Sequence, residues 1–303
     1  MGHILVVGSL AYDTVKTPTG KIEGALGGSA NYFGVAASLF ASVRVVGVVG
    51  EDYRAEDSEL LSKKNIDISG VEHTSGKTFH WAGEYDNNLN EAKTLRTELN
   101  VFANFHPKLP ESFKDSEIIF LANIDPALQL EVLNQVTRPK VIAADTMNFW
   151  IGSKMSDLLV ILKRLDILLI NEAEAILLTE TSNAILAARK ISTMGPKHIV
   201  IKRGEYGVVI FSNNRYFCLP AYPVGEVVDP TGAGDTFAGG FLGYIGKSGQ
   251  PLSLDLLKSA AVYGTLLASF TVQDFSLNAI KNLTFEQVEI RRQDFRQVVS
   301  FPT

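Results

Sequence analysis

Cysteine is almost missing from this chain. Of 303 residues only Cys218 is one, which excludes an intrachain disulfide and a zinc site built from several thiolates. Histidine is scarce as well: His3, His73, His80, His106 and His198 form no i, i+4 pair and no zinc-protease motif. Basic residues never run past a pair such as Lys63-Lys64 or Arg291-Arg292, and the formal net charge is −5. A nucleic-acid partner, which asks for a basic face, is therefore not expected. No apolar stretch reaches membrane-spanning length, so no membrane partner is expected either. The start, Met1 to Val7, lacks a charged leader region and enters a strand-like run at once, so the chain reads as cytoplasmic.

What is present is the composition of a folded enzyme, 46% hydrophobic and 20% charged. Short apolar runs end repeatedly in Gly or Asp: Ile4 to Val7, Val43 to Val49, Ile118 to Leu121, Val141 to Ala144, Ile167 to Ile170, Ile199 to Ile201 and Val208 to Phe211. Their apolarity is continuous rather than alternating, which suits strands covered on both faces. Helical patterns lie between them, at Ala30 to Ala41, Ala55 to Asn65, Pro126 to Thr137, Ser156 to Arg164, Glu172 to Thr179 and Ser182 to Met194. This alternation predicts an α/β domain with a mostly parallel sheet and helices on both faces. Ligands of such sheets bind beyond the carboxyl ends of the strands.

Two stretches break the alternation. Residues 12–26 are loop-like or strand-like, and residues 74–105 are rich in Thr, Asn and aromatics around the half-exposed strand Thr78 to Tyr85. Both are read as a small β lid on one domain that spans 1–303. The aromatics Phe79, Trp81, Tyr85, Phe102 and Phe105 read as lid core, with the alternative that one of them faces the cleft and stacks on a ligand.

The most informative segment runs from Val228 to Phe241, with Asp229, Pro230, Thr231, Gly232, Ala233, Gly234 and Asp235 ahead of a helix-compatible apolar run. Glycines on both sides of Ala233 let the backbone approach a ligand, and the N–H groups of the first helical turn then make an anion site. Like charges repel, so Asp235 at the mouth of that site has no business binding a phosphate. It suits a group that orients and deprotonates an attacking hydroxyl. The plainer alternative is that Asp235 caps the helix.

The Asp229 to Phe241 segment resembles the C-terminal signature of the ribokinase/PfkB family of carbohydrate and nucleoside kinases. Gly27-Gly28-Ser29-Ala30-Asn31 is similar to its N-terminal signature, and Gly8-Ser9-Leu10-Ala11-Tyr12-Asp13 to the end of its first strand. Asn171-Glu172-Ala173-Glu174 resembles the family's Asn-x-x-Glu element, and Lys202 to Gly207 sits where the family has a glycine turn facing the nucleotide. The five matches come in family order across nearly the whole chain. The resemblance implies a Rossmann-like ribokinase fold with a β-sheet lid and an ATP-dependent transfer of phosphate to an alcohol hydroxyl. It implies Asp235 as base, and Gly232, Ala233 and Gly234 as N–H donors to the transferred group. Asp13, Gly28 and Asn31 would hold the acceptor, while Lys202, Gly204, Gly207 and Thr231 would meet the nucleotide. Asn171 and Glu174 would steer Mg2+ through water.

Departures and alternatives remain. Lys202-Arg203 stands where many relatives carry a small hydroxylated residue, and Pro230 where a Thr is common. A monovalent cation such as K+, bound through Asp229, is allowed but not specified. The acceptor is a sugar or sugar-like molecule, with a nucleoside as the alternative. A sugar phosphate would need Lys16, Lys21 and Arg96 to face inward, and a ligand-binding regulator would have lost the anion loop that is intact here. An open edge of the lid leaves a homodimer possible. Asp145 to Trp150 follows a strand end and borders the expected cleft.

Overall fold

The computed structural model describes residues 2–90 and 92–300. Met1, Glu91 and residues 301–303 belong to the expected 1–303 domain, and Glu91 to its second lid segment; they lie outside the described residues. In chain order the elements begin with β1 (Ile4–Val7), β2 (Ala11–Thr17), β3 (Gly20–Gly27), α1 (Ser29–Ala37), β4 (Val43–Val49), α2 (Ala55–Ser62) and β5 (Ile66–His73). Then come β6 (Phe79–Tyr85), β7 (Ala92–Glu98), β8 (Ile118–Leu121), α3 (Pro126–Leu133), β9 (Val141–Ala144), α4 (Asn148–Ser153), α5 (Met155–Leu162) and β10 (Ile167–Asn171). The last are α6 (Glu172–Thr179), α7 (Ala184–Ser192), β11 (His198–Lys202), β12 (Val208–Ser212), β13 (Arg215–Leu219), α8 (Ala233–Ser248), α9 (Leu254–Thr271) and α10 (Phe285–Val299).

Nine strands form one sheet in the order β13-β12-β11-β10-β9-β8-β1-β4-β5. Its strands from β11 to β5 are parallel, while β12 and β13 add an antiparallel margin. Both faces are covered, so successive residues of one strand enter different cores. Ile4 and Val6 pack with α1, α8 and α9, whereas Leu5 and Val7 pack with α5, α6 and α7. Strand order reverses at β1, which lies between β4 and β8. A reversal of this kind opens a crevice beyond the strand ends.

Helices α1 and α8 run side by side in the same direction. A Cβ on Gly239 would lie 2.5 Å from the Phe33 carbonyl oxygen, and one on Gly243 3.1 Å from the Ala37 Cα, so glycine lets the backbones touch. Phe33 stacks on Phe120 of β8 at 4.4 Å and ties the pair to the sheet. Truncating such a buried ring costs about 3–5 kcal/mol. Close packing of the two helices brings both of their N-termini to the crevice.

The two stretches expected as a lid form a second sheet, ordered β3-β2-β6-β7. Residues 12–26, left open between loop and strand, are a hairpin. Sequence periodicity passed over β5, β13, α4 and α9. Strand β5 is half-exposed and interrupted by Gly70, and β13 has polar and apolar residues mixed on an edge. Helix α9 is buried on most of its surface, so it shows no single apolar stripe to read.

Candidate active site

Asp13 sits in β2 where it passes the start of α1, and the two are laced together. Ser9 and Ser29 exchange bonds from each backbone N–H to the other's hydroxyl, at 3.2 and 3.1 Å. Gly28 caps α1 with φ 89°, and a Cβ there would lie 2.5 Å from the Ser9 carbonyl oxygen, so only glycine fits. A Cβ on Gly27 would overlap the Asp13 carboxylate, which fixes that carboxylate against the turn. Asp13 is 7% exposed. Burial drives its carboxyl up to about 7, the Gly28 N–H opposes this, and the charges of Asp229 and Asp235 add to it. Asn31 braces the turn, donating from Nδ2 to the Gly27 carbonyl at 2.6 Å, while its Oδ1 is buried without a partner.

The second helix start lies beside the first. Gly232, at φ 75°, is the N-cap of α8, so the helix begins at Ala233 rather than at Thr236. The capping alternative for Asp235 is thereby overturned: the cap makes no side-chain hydrogen bond, and Asp235 stands in the first turn. The Ala233 N–H is turned back to the Pro230 carbonyl at 3.2 Å, whereas those of Gly234 and Asp235 have no backbone partner among the described residues. These free donors, with the helix dipole behind them, are what an anion would meet. The Asp235 carboxyl rises to about 7, first through burial and then through the charge of Asp145, with Lys202 opposing. Upstream, Asp229 Oδ1 accepts the Thr231 N–H at 2.9 Å and Oδ2 is buried without a partner.

The strand ends of β9, β10 and β11 supply the third side. Lys202 closes β11 and donates to Asp145, just past β9, at 2.7 Å. Their side chains are 16% and 8% exposed, so the pair is largely out of water. Burial works to lower the Lys202 ammonium, and Asp145, Glu174 and Asp235 outweigh it and hold it above its ordinary value. Nζ lies 3.1 Å from where a Cβ of Gly234 would be, so the ammonium reaches the anion loop. Lys202 is in register with Asn171 of β10. Asn171 and Glu174 form a reciprocal cap on α6, Asn171 Oδ1 accepting the Glu174 N–H at 2.7 Å and Glu174 Oε2 the Asn171 N–H at 3.0 Å. Burial and the charge of Asp145 push the Glu174 carboxyl up. Beyond Lys202, Gly204 and Gly207 both take positive φ in the turn that joins β11 to β12.

The small sheet closes over this ring of groups. From β6, the Tyr85 hydroxyl meets Thr231 Oγ1 at 3.2 Å, and from the β2–β3 turn Thr19 Oγ1 donates to the Val228 carbonyl at 3.1 Å. Both bonds join the lid to the loop before α8. The aromatic group divides. Phe79, Phe102 and Phe105 stack at 5.6 and 5.5 Å as core, while Tyr85 faces the cleft. Lys16 pairs with Glu84, Lys21 with Glu23 and Arg96 with Glu98, all at exposed positions, so none serves the inner site. A polar cavity of about 310 Å³ lined by Tyr12, Arg54, Thr78, His80 and Arg96 lies on the opposite face of the lid from Asp13 and is separate from this chemistry.

With that geometry in place, comparison with known proteins becomes informative. Residues 1–282 match the pfkB family carbohydrate kinase. The chain belongs to that family. A cytidine kinase of Thermococcus kodakarensis is 35% identical over 83% of this chain and 91% of its own. The nucleoside kinase of Methanocaldococcus jannaschii has the same fold, with a TM-score of 0.77 and 21% identity over 97% of this chain and 99% of that one. So has an Escherichia coli protein of the ribokinase type solved with ATP and Mg2+, at a TM-score of 0.80 and 18% identity over 97% of this chain and 100% of that one. The ribokinase fold and the kinase class follow. Among the described residues, no helix is long and apolar enough to cross a membrane.

In this family member the cleft gathers Asp13, Gly28, Thr231, Gly232, Gly234, Asp235, Lys202 and Glu174. It also gathers Asp145 and Tyr85, which the sequence set near the cleft without a role, and Tyr32, which it did not assign. Asp145 had one legible signal, its place at the carboxyl end of a strand. Tyr85 was one of five lid aromatics that could face the cleft and Tyr32 had no signal, since their direction is set by the register of β6 and the rotation of α1.

Proposed function

We propose that the chain is an ATP-dependent nucleoside kinase that moves the γ-phosphoryl group of Mg-ATP to a ribose hydroxyl. The relationship to the cytidine kinase carries this reading, because it holds at 35% identity over 83% of this chain and 91% of that one. A free sugar is the competing acceptor, favoured by the family's description. A sugar phosphate is disfavoured by the outward Lys16, Lys21 and Arg96.

In this reading Asp13 and Asn31, next to Gly28, take the acceptor's hydroxyls. Asp235 accepts the proton of the reacting hydroxyl as its oxygen bonds to the γ-phosphorus, and the bond to the β,γ-bridging oxygen breaks with its electron pair leaving on ADP. Such transfers gain mostly from positioning and charge stabilisation. The free N–H groups of Gly234 and Asp235, the Gly232 turn and the Lys202 ammonium supply it; Thr231, Gly204 and Gly207 border the nucleotide. Among the described residues no three acidic or histidine side chains cluster as a metal cage. That suits Mg2+, which keeps several waters and arrives bound to phosphates. Asn171 and Glu174 would hold it through water, supplying charge neutralisation on the phosphates. The unpartnered, buried Oδ2 of Asp229 suits a monovalent cation such as K+. The edge strands β3 and β7 leave a second copy of the chain room to pair.

The test is ADP release from Mg-ATP across cytidine, other ribonucleosides, ribose and fructose. Turnover confined to the nucleosides supports the proposal, and turnover confined to sugars sinks it.

A further inference from the structure

Tyr32 lies in the first turn of α1 and is 2% exposed. Its ring packs flat on the anion loop: a Cβ on Gly232 would come within 2.4 Å of Cε1 and Cζ. The face of the ring therefore lies on Gly232, where α1 and α8 start side by side. Burial, then the charges of Asp13, Asp229 and Asp235, and then Tyr85 oppose ionisation of this phenol, so it stays a neutral O–H donor. No described residue bonds to it, and its oxygen is not among the polar atoms sealed from solvent. A phenylalanine would fill the same space against Gly232, so the packing does not need the hydroxyl. Packing explains the ring but leaves the hydroxyl without a purpose.

The chemistry of the surroundings supplies one. When ionised, Asp13 and Asp235 only accept, so a bound alcohol donates its protons to them and its oxygens still need donors. One N–H of the Asn31 amide is committed to the Gly27 carbonyl, and Lys202 is tied to Asp145 on the nucleotide side. We propose that the Tyr32 hydroxyl donates a hydrogen bond to an oxygen of the acceptor lying between Asp13 and Asp235, and so positions the acceptor for attack. The inference rests on the kinase reading and holds for a nucleoside or a sugar.

Its test is Tyr32→Phe, assayed with whichever acceptor the wild type turns over and with that acceptor's monodeoxy analogues. The variant should lose about 5- to 20-fold in kcat/KM for the full acceptor, the size of one hydrogen bond. KM for ATP and the thermal midpoint should stay near the wild-type values. One deoxy analogue should be poor with the wild type by a similar factor and should lose nothing further with the variant. An unchanged kcat/KM, an equal loss with every analogue, or a loss carried by KM for ATP would each overturn the proposal, the last two by showing that the residue only shapes the loop. A failure of the nucleoside reading appears separately, as a wild type that uses sugars alone.

Discussion

Replacing Asp235 by Asn should give an enzyme that is more stable and nearly inactive. The carboxyl is held at about 7 instead of 3.8, because burial and the Asp145 charge outweigh Lys202. A folded-state pKa above the unfolded value means that ionisation works against folding. The penalty is absent below about pH 4, grows between about 4 and 7, and is complete above 7. Three pH units correspond to about 4 kcal/mol, which partial solvent access to the cleft trims to roughly 2–4. Asparagine carries no charge and escapes the penalty. At pH 8 the variant should melt several degrees above the wild type, and the gap should shrink by about half at pH 5.5. Its kcat should fall by at least about 100-fold, the lower range for a lost general base. The wild-type kcat/KM should rise with pH through about 7, because only the ionised carboxylate accepts a proton. Scanning calorimetry at the two pH values, run beside the kinase assay, reads all three. A variant that is destabilised at pH 8, or that keeps more than a tenth of the wild-type rate, would refute the reasoning.

Two further substitutions probe the walls of the site. Tyr85→Phe removes the bond from the lid to Thr231 and should cost about 2- to 10-fold in kcat/KM for the acceptor, with stability unchanged; an unaltered kcat/KM would show that this bond does not hold the lid. Lys202→Met leaves Asp145 unpaired in a mostly buried position, so it should lower stability by about 3–5 kcal/mol in urea unfolding and raise KM for ATP. A stable variant with normal ATP affinity would place the pair outside the nucleotide site.

Much of this could be read from the chain, and what could not has physical causes. Strands such as Ile4–Val7 and Val43–Val49 announce themselves because burial on both faces demands unbroken apolarity. Gly28 and Gly232 are legible because each stands where a side chain would strike its neighbours. The role of Asp235 hung on whether it caps α8, which composition does not decide; the answer depends on the helix starting three residues earlier than its apolar pattern suggests. Side-chain direction is the main thing withheld. Tyr85 and Phe79 are aromatics of the same strand, yet one reaches across the cleft with its hydroxyl and the other stacks into core. Pairing over distance is withheld too: Asp145 and Lys202 are 57 positions apart, and only parallel strands with one strand between them make them neighbours.

The most direct test of the central claim is the wild-type enzyme with Mg-ATP and a panel of ribonucleosides and free sugars, followed by ADP release, with Asp235→Ala alongside. A nucleoside kinase that uses Asp235 as base turns over a ribonucleoside, and the variant loses about 100-fold or more while still binding ATP. Turnover of sugars alone would contradict the acceptor, and turnover that survives in the variant would contradict the base.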